Sequence, residues 1–177
     1  MSEYAMRPAR SDDVDAVGAL ILARARWMAE RDLDGAQGWA DGAVRLAAQI
    51  TDPRFPVWAL TRVADGRVAG VTSVFTQTPP WGWTEDERAE SALFLASTVT
   101  DPELRADRPG CVIAWWALGH AARNGYRWVR RGCGSLGLVR YYRDVQGWTL
   151  SHTVERHGET AYLLARRATV QRELSAE

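Results

Sequence analysis

Arg105, Arg108, Pro109, Gly110 and Cys111 lie close together where the chain changes character. An all-apolar run, Ala92 to Ala96, leads into Val99-Thr100-Asp101-Pro102. From Cys111 an uninterrupted helical pattern then runs to Gly125. Strand, tight loop and helix N-terminus in that order suit an anion. The first amides of a helix have no partner within it, and its dipole places partial positive charge there. Pro109 fits the first helical position, where its missing N–H costs nothing. Gly110 lets a ligand approach the backbone, and Arg105 and Arg108 add fixed charge. A capped strand-to-helix turn carrying two solvated arginines accounts for the same residues, so the stretch alone leaves both readings open.

Trp81 and Trp83 lie in the one long irregular segment, 76–89, next to Glu85-Asp86-Glu87. Long loops in compact domains tend to be functional. Two indoles beside carboxylates could form the floor of a site for a cationic amine, or they could simply dock onto their own domain. The two cysteines, Cys111 and Cys133, and the three histidines, His120, His152 and His157, have neither disulfide nor metal-ligand spacing. No metal is expected. His120 falls opposite the apolar stripe Cys111, Ala114, Trp115, Leu118, Ala121 and Ala122, and reads as a surface residue.

The elements that must position these groups follow from periodicity. Ala5 to Ala9 reads as a strand. Ser11-Asp12-Asp13 offers caps for a helix from Asp13 to about Arg31. After a glycine-rich link, 32–41, a second helix is expected from Gly42 to Ile50. Val57–Val63 and Arg67–Phe75 form a hairpin over Asp65-Gly66. Ala92–Val99 reads as a central strand buried on both faces. Next come the helix from Cys111, a strand Tyr126–Gly132 and a short helix from Leu138 to about Val145. A final hairpin, Trp148–Val154 and Thr160–Ala165, follows. The chain past Ala168 is polar, and 170–177 reads as a frayed tail.

The turn resembles the acyl-CoA loop of the GNAT N-acetyltransferases, (Gln or Arg)-x-x-Gly-x-(Gly or Ala). Arg105 falls on the first position and Gly110 on the last, and Arg108 replaces the middle glycine. A second stretch, Ser135-Leu136-Gly137-Leu138-Val139-Arg140-Tyr141-Tyr142 followed by Gly147-Trp148, resembles the family's Asn-x-x-Ala-x-x-(Leu or Phe)-Tyr and Gly-Phe. Ser135 stands for the asparagine, and one extra residue precedes Gly147. The resemblance covers nearly the whole chain. It implies one α/β (α+β) domain over 1–177, with a mixed, mostly antiparallel sheet, splayed parallel strands 4 and 5, and about four flanking helices.

What the resemblance implies for function is acetyl transfer from acetyl-CoA to a primary amine of a small molecule or peptide, by direct attack in a ternary complex. The pantetheine arm would lie between strands Leu93–Val99 and Tyr126–Gly132. Val99, Arg105, Arg108, Pro109, Gly110, Cys111 and Ser135 would serve the cofactor. Tyr142 would protonate the departing thiolate, and a phenol suits that step because it is neutral at pH 7 and donates a hydrogen bond. The amine must first lose a proton. Glu90 is the candidate base, or Ser97 or Thr98 holding a water. The first helix pair would form one wall of the acceptor pocket, with Trp81 and Trp83 as further acceptor contacts. A module that binds acyl-CoA without catalysis, and an acyltransferase using another donor, are the alternatives.

Composition narrows the partners. The chain has 177 residues, 46% hydrophobic and 25% charged, the profile of a soluble globular domain. No apolar run suits a membrane span and no leader pattern opens the sequence, so a cytoplasmic monomer or homodimer is expected. Net charge is zero, which argues against a nucleic-acid surface despite the arginines at 123, 127, 130 and 131. All 22 basic residues are arginine, so the protein has no lysine side chain of its own to acylate. No G-x-G-x-x-G follows an early strand, which disfavours a dinucleotide fold. Nine tryptophans are many for this length, and some should line a pocket or an interface.

Overall fold

The computed structural model describes residues 2–171; residues 172–177 of the expected tail lie outside the described residues. Among the described residues, five α-helices, three short 3-10 turns and seven strands follow one another. They are β1 (Tyr4–Pro8), α1 (Val14–Ala29), α2 (Ala36–Ala48), β2 (Val57–Arg62), β3 (Val68–Phe75), α3 (Glu85–Ala89) and β4 (Ala92–Thr100). Then come α4 (Pro109–Arg123), β5 (Trp128–Cys133), α5 (Leu136–Asp144), β6 (Thr149–Arg156) and β7 (Glu159–Arg167). The strands form a mixed sheet in the order β1-β2-β3-β4-β5-β7-β6. Its parallel pair is β4–β5, in register from Ala92↔Trp128 to Leu95↔Arg131. The expected fold class is the one observed.

The chain divides into two compact units, 2–74 with 97–113 and 75–96 with 114–171. In the first unit, α1 and α2 bury Val17, Leu20, Ile21, Ala43 and Ala47 with Ala59 of β2, Val71 of β3 and Val99 of β4. Tyr4, Leu60, Ala69, Leu104 and Ile113 form a further cluster. In the second unit, Trp83, Leu163 and Ala165 form a core on which Trp81, Phe94, Trp128 and Val154 pack. The β6–β7 hairpin pairs Leu150 with Leu164 and His152 with Leu163, leaving Ser151 as an extra residue in β6.

Four elements depart from the sequence reading, each for a local reason. Helix α2 starts at Ala36 rather than Gly42. The break falls at Asp32 and Gly35, both left-handed at φ 51° and 89°, and Gly38 and Gly42 lie inside the helix. Segment 76–89 is not irregular throughout, because α3 closes it. Thr84 Oγ1 accepts from the Glu87 amide while the Glu87 side chain accepts from the Thr84 amide. That is a capping box, readable as Thr84-x-x-Glu87. Helix α5 starts at Leu136 rather than Leu138, since the Ser135 hydroxyl caps it by accepting from the Leu138 amide. In β4, Ser97 has φ 52° and breaks the strand's alternation, where an unbroken strand was expected.

Candidate active site

The turn into α4 is held from three sides. Asp101, at the end of β4, accepts from the Glu103 amide and pairs with Arg67 at 2.6 Å, and Arg67 also pairs with Glu103. Leu104 is buried beside Ile113, Leu60 and Tyr4. The Tyr4 hydroxyl donates to Asp107. Burial, reinforced by that carboxylate, pushes the Tyr4 phenol up to about 12, so it stays a donor. Pro102–Asp107 wind into a 3-10 turn that ends at Arg108.

Arg108 then adopts φ 52° and ψ 54°, and α4 begins at Pro109, in the first helical position. Arg105 and Arg108 are both exposed. Arg105 also donates to the Pro102 carbonyl at 3.2 Å. The Cys111 amide is engaged by the Arg108 carbonyl at 2.8 Å, and the Cys111 side chain is buried. Gly125 closes the helix at φ 77°, as expected. His120 is half-buried and stacks on Trp116 at 4.7 Å, and burial lowers its pKa. A well-fixed helix N-terminus with two exposed guanidiniums beside it can hold a polyphosphate.

The same unit holds a small cleft where α1 and α2 face β3 and β4. Ile21, Trp39, Gln49, Ser73, Ser97 and Val99 are among its lining residues. No charged side chain lines it. Beside it, the hydroxyls of Thr72 and Thr98 meet at 2.8 Å. The helix pair thus forms a wall of a cleft, but Trp39 is the tryptophan that lines it. Trp39 carried no sequence signal, because it falls in the stretch 32–41 expected as a link and lies instead inside α2. Ser97 carried no signal, since its positive φ follows from no residue preference.

In the second unit, Trp83 is 6% exposed and Trp81 packs beside it. The Arg156 guanidinium lies 4.0 Å from the Trp81 ring centre and that of Arg130 lies 5.0 Å from Trp83. Both indoles already have cations of the chain's own. Glu90 accepts from the Trp128 indole N–H at 2.7 Å and pairs with Arg130 at 3.3 Å and Arg127 at 3.6 Å. Its oxygens are committed to those donors. Glu87 pairs with His152 at 2.8 Å. Burial raises the Glu87 pKa, but the Thr84 amide and His152 outweigh it, so the carboxyl lies below its usual range. Ser135 caps α5. Burial raises the pKa of the Cys133 thiol. Tyr142 is 9% exposed, and its hydroxyl accepts from Arg131 at 2.9 Å; Tyr141 is half-buried beside it.

No protein-family profile matches the chain, and no curated protein sequence does either. Solved structures do. A GNAT-family acetyltransferase from Listeria monocytogenes superposes with a TM-score of 0.69 at 16% identity, covering 93% of this chain and 94% of its own. An aminoglycoside 6'-acetyltransferase type Ii gives 0.66 at 10% identity over 94% and 99%. The chain has the GNAT fold. The ribosomal-protein-S18-alanine N-acetyltransferase of Escherichia coli, at 0.60 and 11% identity, shares it over 98% and 99%. GNAT acetyltransferases named for such different substrates share this backbone, so the fold alone does not select an acceptor. No group of metal-ligating residues occurs among the described residues.

Proposed function

We propose that this GNAT-fold chain is an N-acetyltransferase that moves the acetyl group of acetyl-CoA to a primary amine. The observation that carries the reading is the conformation at Arg108. The acyl-CoA loop pattern has a glycine there, and Arg108 adopts the left-handed backbone that a glycine would supply. The substitution therefore keeps the turn and adds a charge suited to pyrophosphate. Arg105, Arg108 and the Gly110 amide bind the phosphates, with Pro109 fixing the start of α4. Val99 offers backbone groups to the pantetheine arm. The acceptor amine, once deprotonated, attacks the thioester carbonyl carbon. The C–S bond breaks, and Tyr142 donates a proton to the sulfur.

The cleft lined by Trp39 and Ser97 lacks a carboxylate, so it offers a polycation no counter-charge. The test begins with calorimetry of acetyl-CoA on wild type and Gly110→Leu. Wild type should bind, and the variant should lose binding while keeping its circular dichroism. Equal affinities would move the phosphate site elsewhere. Thiol release with phenethylamine, tyramine and spermidine then separates catalysis from binding. Acetyl-CoA binding with no amine-dependent turnover would leave a binding module.

A further inference from the structure

Arg131 is a buried guanidinium without a carboxylate. It is 4% exposed, and no ion pair reaches it among the described residues, nor does its Nε have a hydrogen-bond partner there. What it does have is Tyr142. Arg131 Nη2 donates to the Tyr142 hydroxyl at 2.9 Å, and the guanidinium carbon lies 3.8 Å from the Tyr142 ring centre and 5.5 Å from that of Trp148. Trp148 is 2% exposed and its indole N–H donates to Gln146, itself 1% exposed. Arg166 donates to the Gln146 carbonyl. The arginine is thus fixed from behind by a buried chain of groups and presses its N–H on one phenol oxygen.

Burying a charge this way is costly unless something compensates. The neighbouring Arg130 shows the ordinary solution, with hydrogen bonds to Thr78, the Glu87 carbonyl and Glu90. Arg131 has none of these. A phenol oxygen offers one O–H donor and lone pairs as acceptors. Arg131 occupies the acceptor side, so the O–H must point away from Arg131 and donate elsewhere.

We infer that Arg131 is a positioning residue for Tyr142. It fixes the phenol as a donor and sets a positive charge beside the oxygen that gives up its proton. This rests on the proposed acetyl transfer. In that reaction the amine nitrogen bonds to the acetyl carbon and the C–S bond breaks. The electron pair leaves with sulfur, and the Tyr142 proton moves to it, giving CoA thiol and a phenolate. The phenolate regains a proton from solvent, which also takes the proton lost by the amine. Arg131 stabilises the negative oxygen only while it exists, so the arginine acts on kcat rather than on acetyl-CoA binding.

The experiment follows thiol release from acetyl-CoA, with tyramine or phenethylamine as acceptor, in wild type, Arg131→Met, Arg131→Lys, Tyr142→Phe and the Arg131→Met/Tyr142→Phe double variant. Melting temperatures and calorimetric acetyl-CoA affinities accompany each. Arg131→Met should lower kcat roughly 10- to 100-fold with KM for acetyl-CoA within about twofold. Arg131→Lys, which keeps a charged donor, should recover much of the loss even where its melting temperature matches that of Arg131→Met. In the Tyr142→Phe background, Arg131→Met should cost little more. An equal further loss there, or no rescue by lysine, overturns the inference and leaves Arg131 structural. A silent Tyr142→Phe overturns it too, by removing the phenol from the reaction. Failure of wild type to bind acetyl-CoA or to turn it over overturns the parent reading instead, and with it this one.

Discussion

Arg108 shows what a single departure from a motif can mean. A non-glycine residue in the left-handed region costs about 1–2 kcal/mol. Arg108→Gly relieves that cost but returns roughly 0.5–1 kcal/mol as unfolded-chain entropy. The variant should therefore be more stable by up to about 1.5 kcal/mol in urea denaturation. A stability loss would mean that the arginine side chain holds the turn. Asp13 makes the opposite case, a side chain whose bonds matter more than its backbone. Its carboxylate accepts from Arg7 at 2.7 and 2.9 Å and from the Arg10 amide at 2.7 Å. Hydrogen bonds from Arg7 hold its pKa below 3.8 against the opposing effect of burial. Because the folded value is depressed, the stabilisation is present above the ordinary carboxylate value and is lost as pH falls through the folded one. Asp13→Asn should cost about 1–3 kcal/mol at pH 7. The gap to wild type should close on acidification below about pH 4. A gap that stays constant down to pH 2 would assign the loss to geometry rather than charge.

Elements were legible where periodicity or a cap spoke plainly. Strands β1 to β3 and helix α1 follow from alternation and spacing, and α4 begins at the proline that the sequence marks. The errors arose where glycine or a polar side chain was read by residue type alone. Gly38 looked like a breaker but sits in α2, and Thr84 and Ser135 looked like loop residues but cap α3 and α5. Of the candidate site, the turn before α4 and Tyr142 were marked by the sequence motifs. The Arg131 contact was not, because cross-element pairing depends on strand register. Gly82 illustrates an element-scale demand. It has φ 77°, and a Cβ there would sit 2.5 Å from Leu163, which is wholly buried. Gly82→Ala thus combines overpacking with a left-handed alanine. It should cost roughly 2–4 kcal/mol and lower the melting temperature by about 5–15 °C. A change under about 2 °C would show that the segment before α3 yields freely.

At the scale of the whole molecule, some of the nine tryptophans were expected to line a pocket or an interface. Most instead serve as platforms for arginine. Trp27, Trp81, Trp83, Trp115, Trp128 and Trp148 each lie under a guanidinium within 5.5 Å. Only Trp39 lines the cleft of the first unit. An arginine-only chain can use this contact widely, because a planar guanidinium stacks on an indole where a lysine ammonium does so less well. Among the described residues, no helix is long and apolar enough to cross a membrane.

The extra residue in β6 bears on how the molecule behaves in company. With 22 acidic and 22 basic residues and an isoelectric point near 6.8, copies have little net charge to repel one another at neutral pH. A strand at the end of a sheet offers its outer backbone groups to any similar strand nearby. Ser151, unmatched between Leu150 and His152, bends that rim and spoils its register for a second copy. Colloidal stability near pH 6.8 therefore depends on shape more than on charge. Deleting Ser151 should flatten the rim, so that light scattering at that pH rises with concentration while wild type stays clear. If both stay clear, some other feature guards the edge.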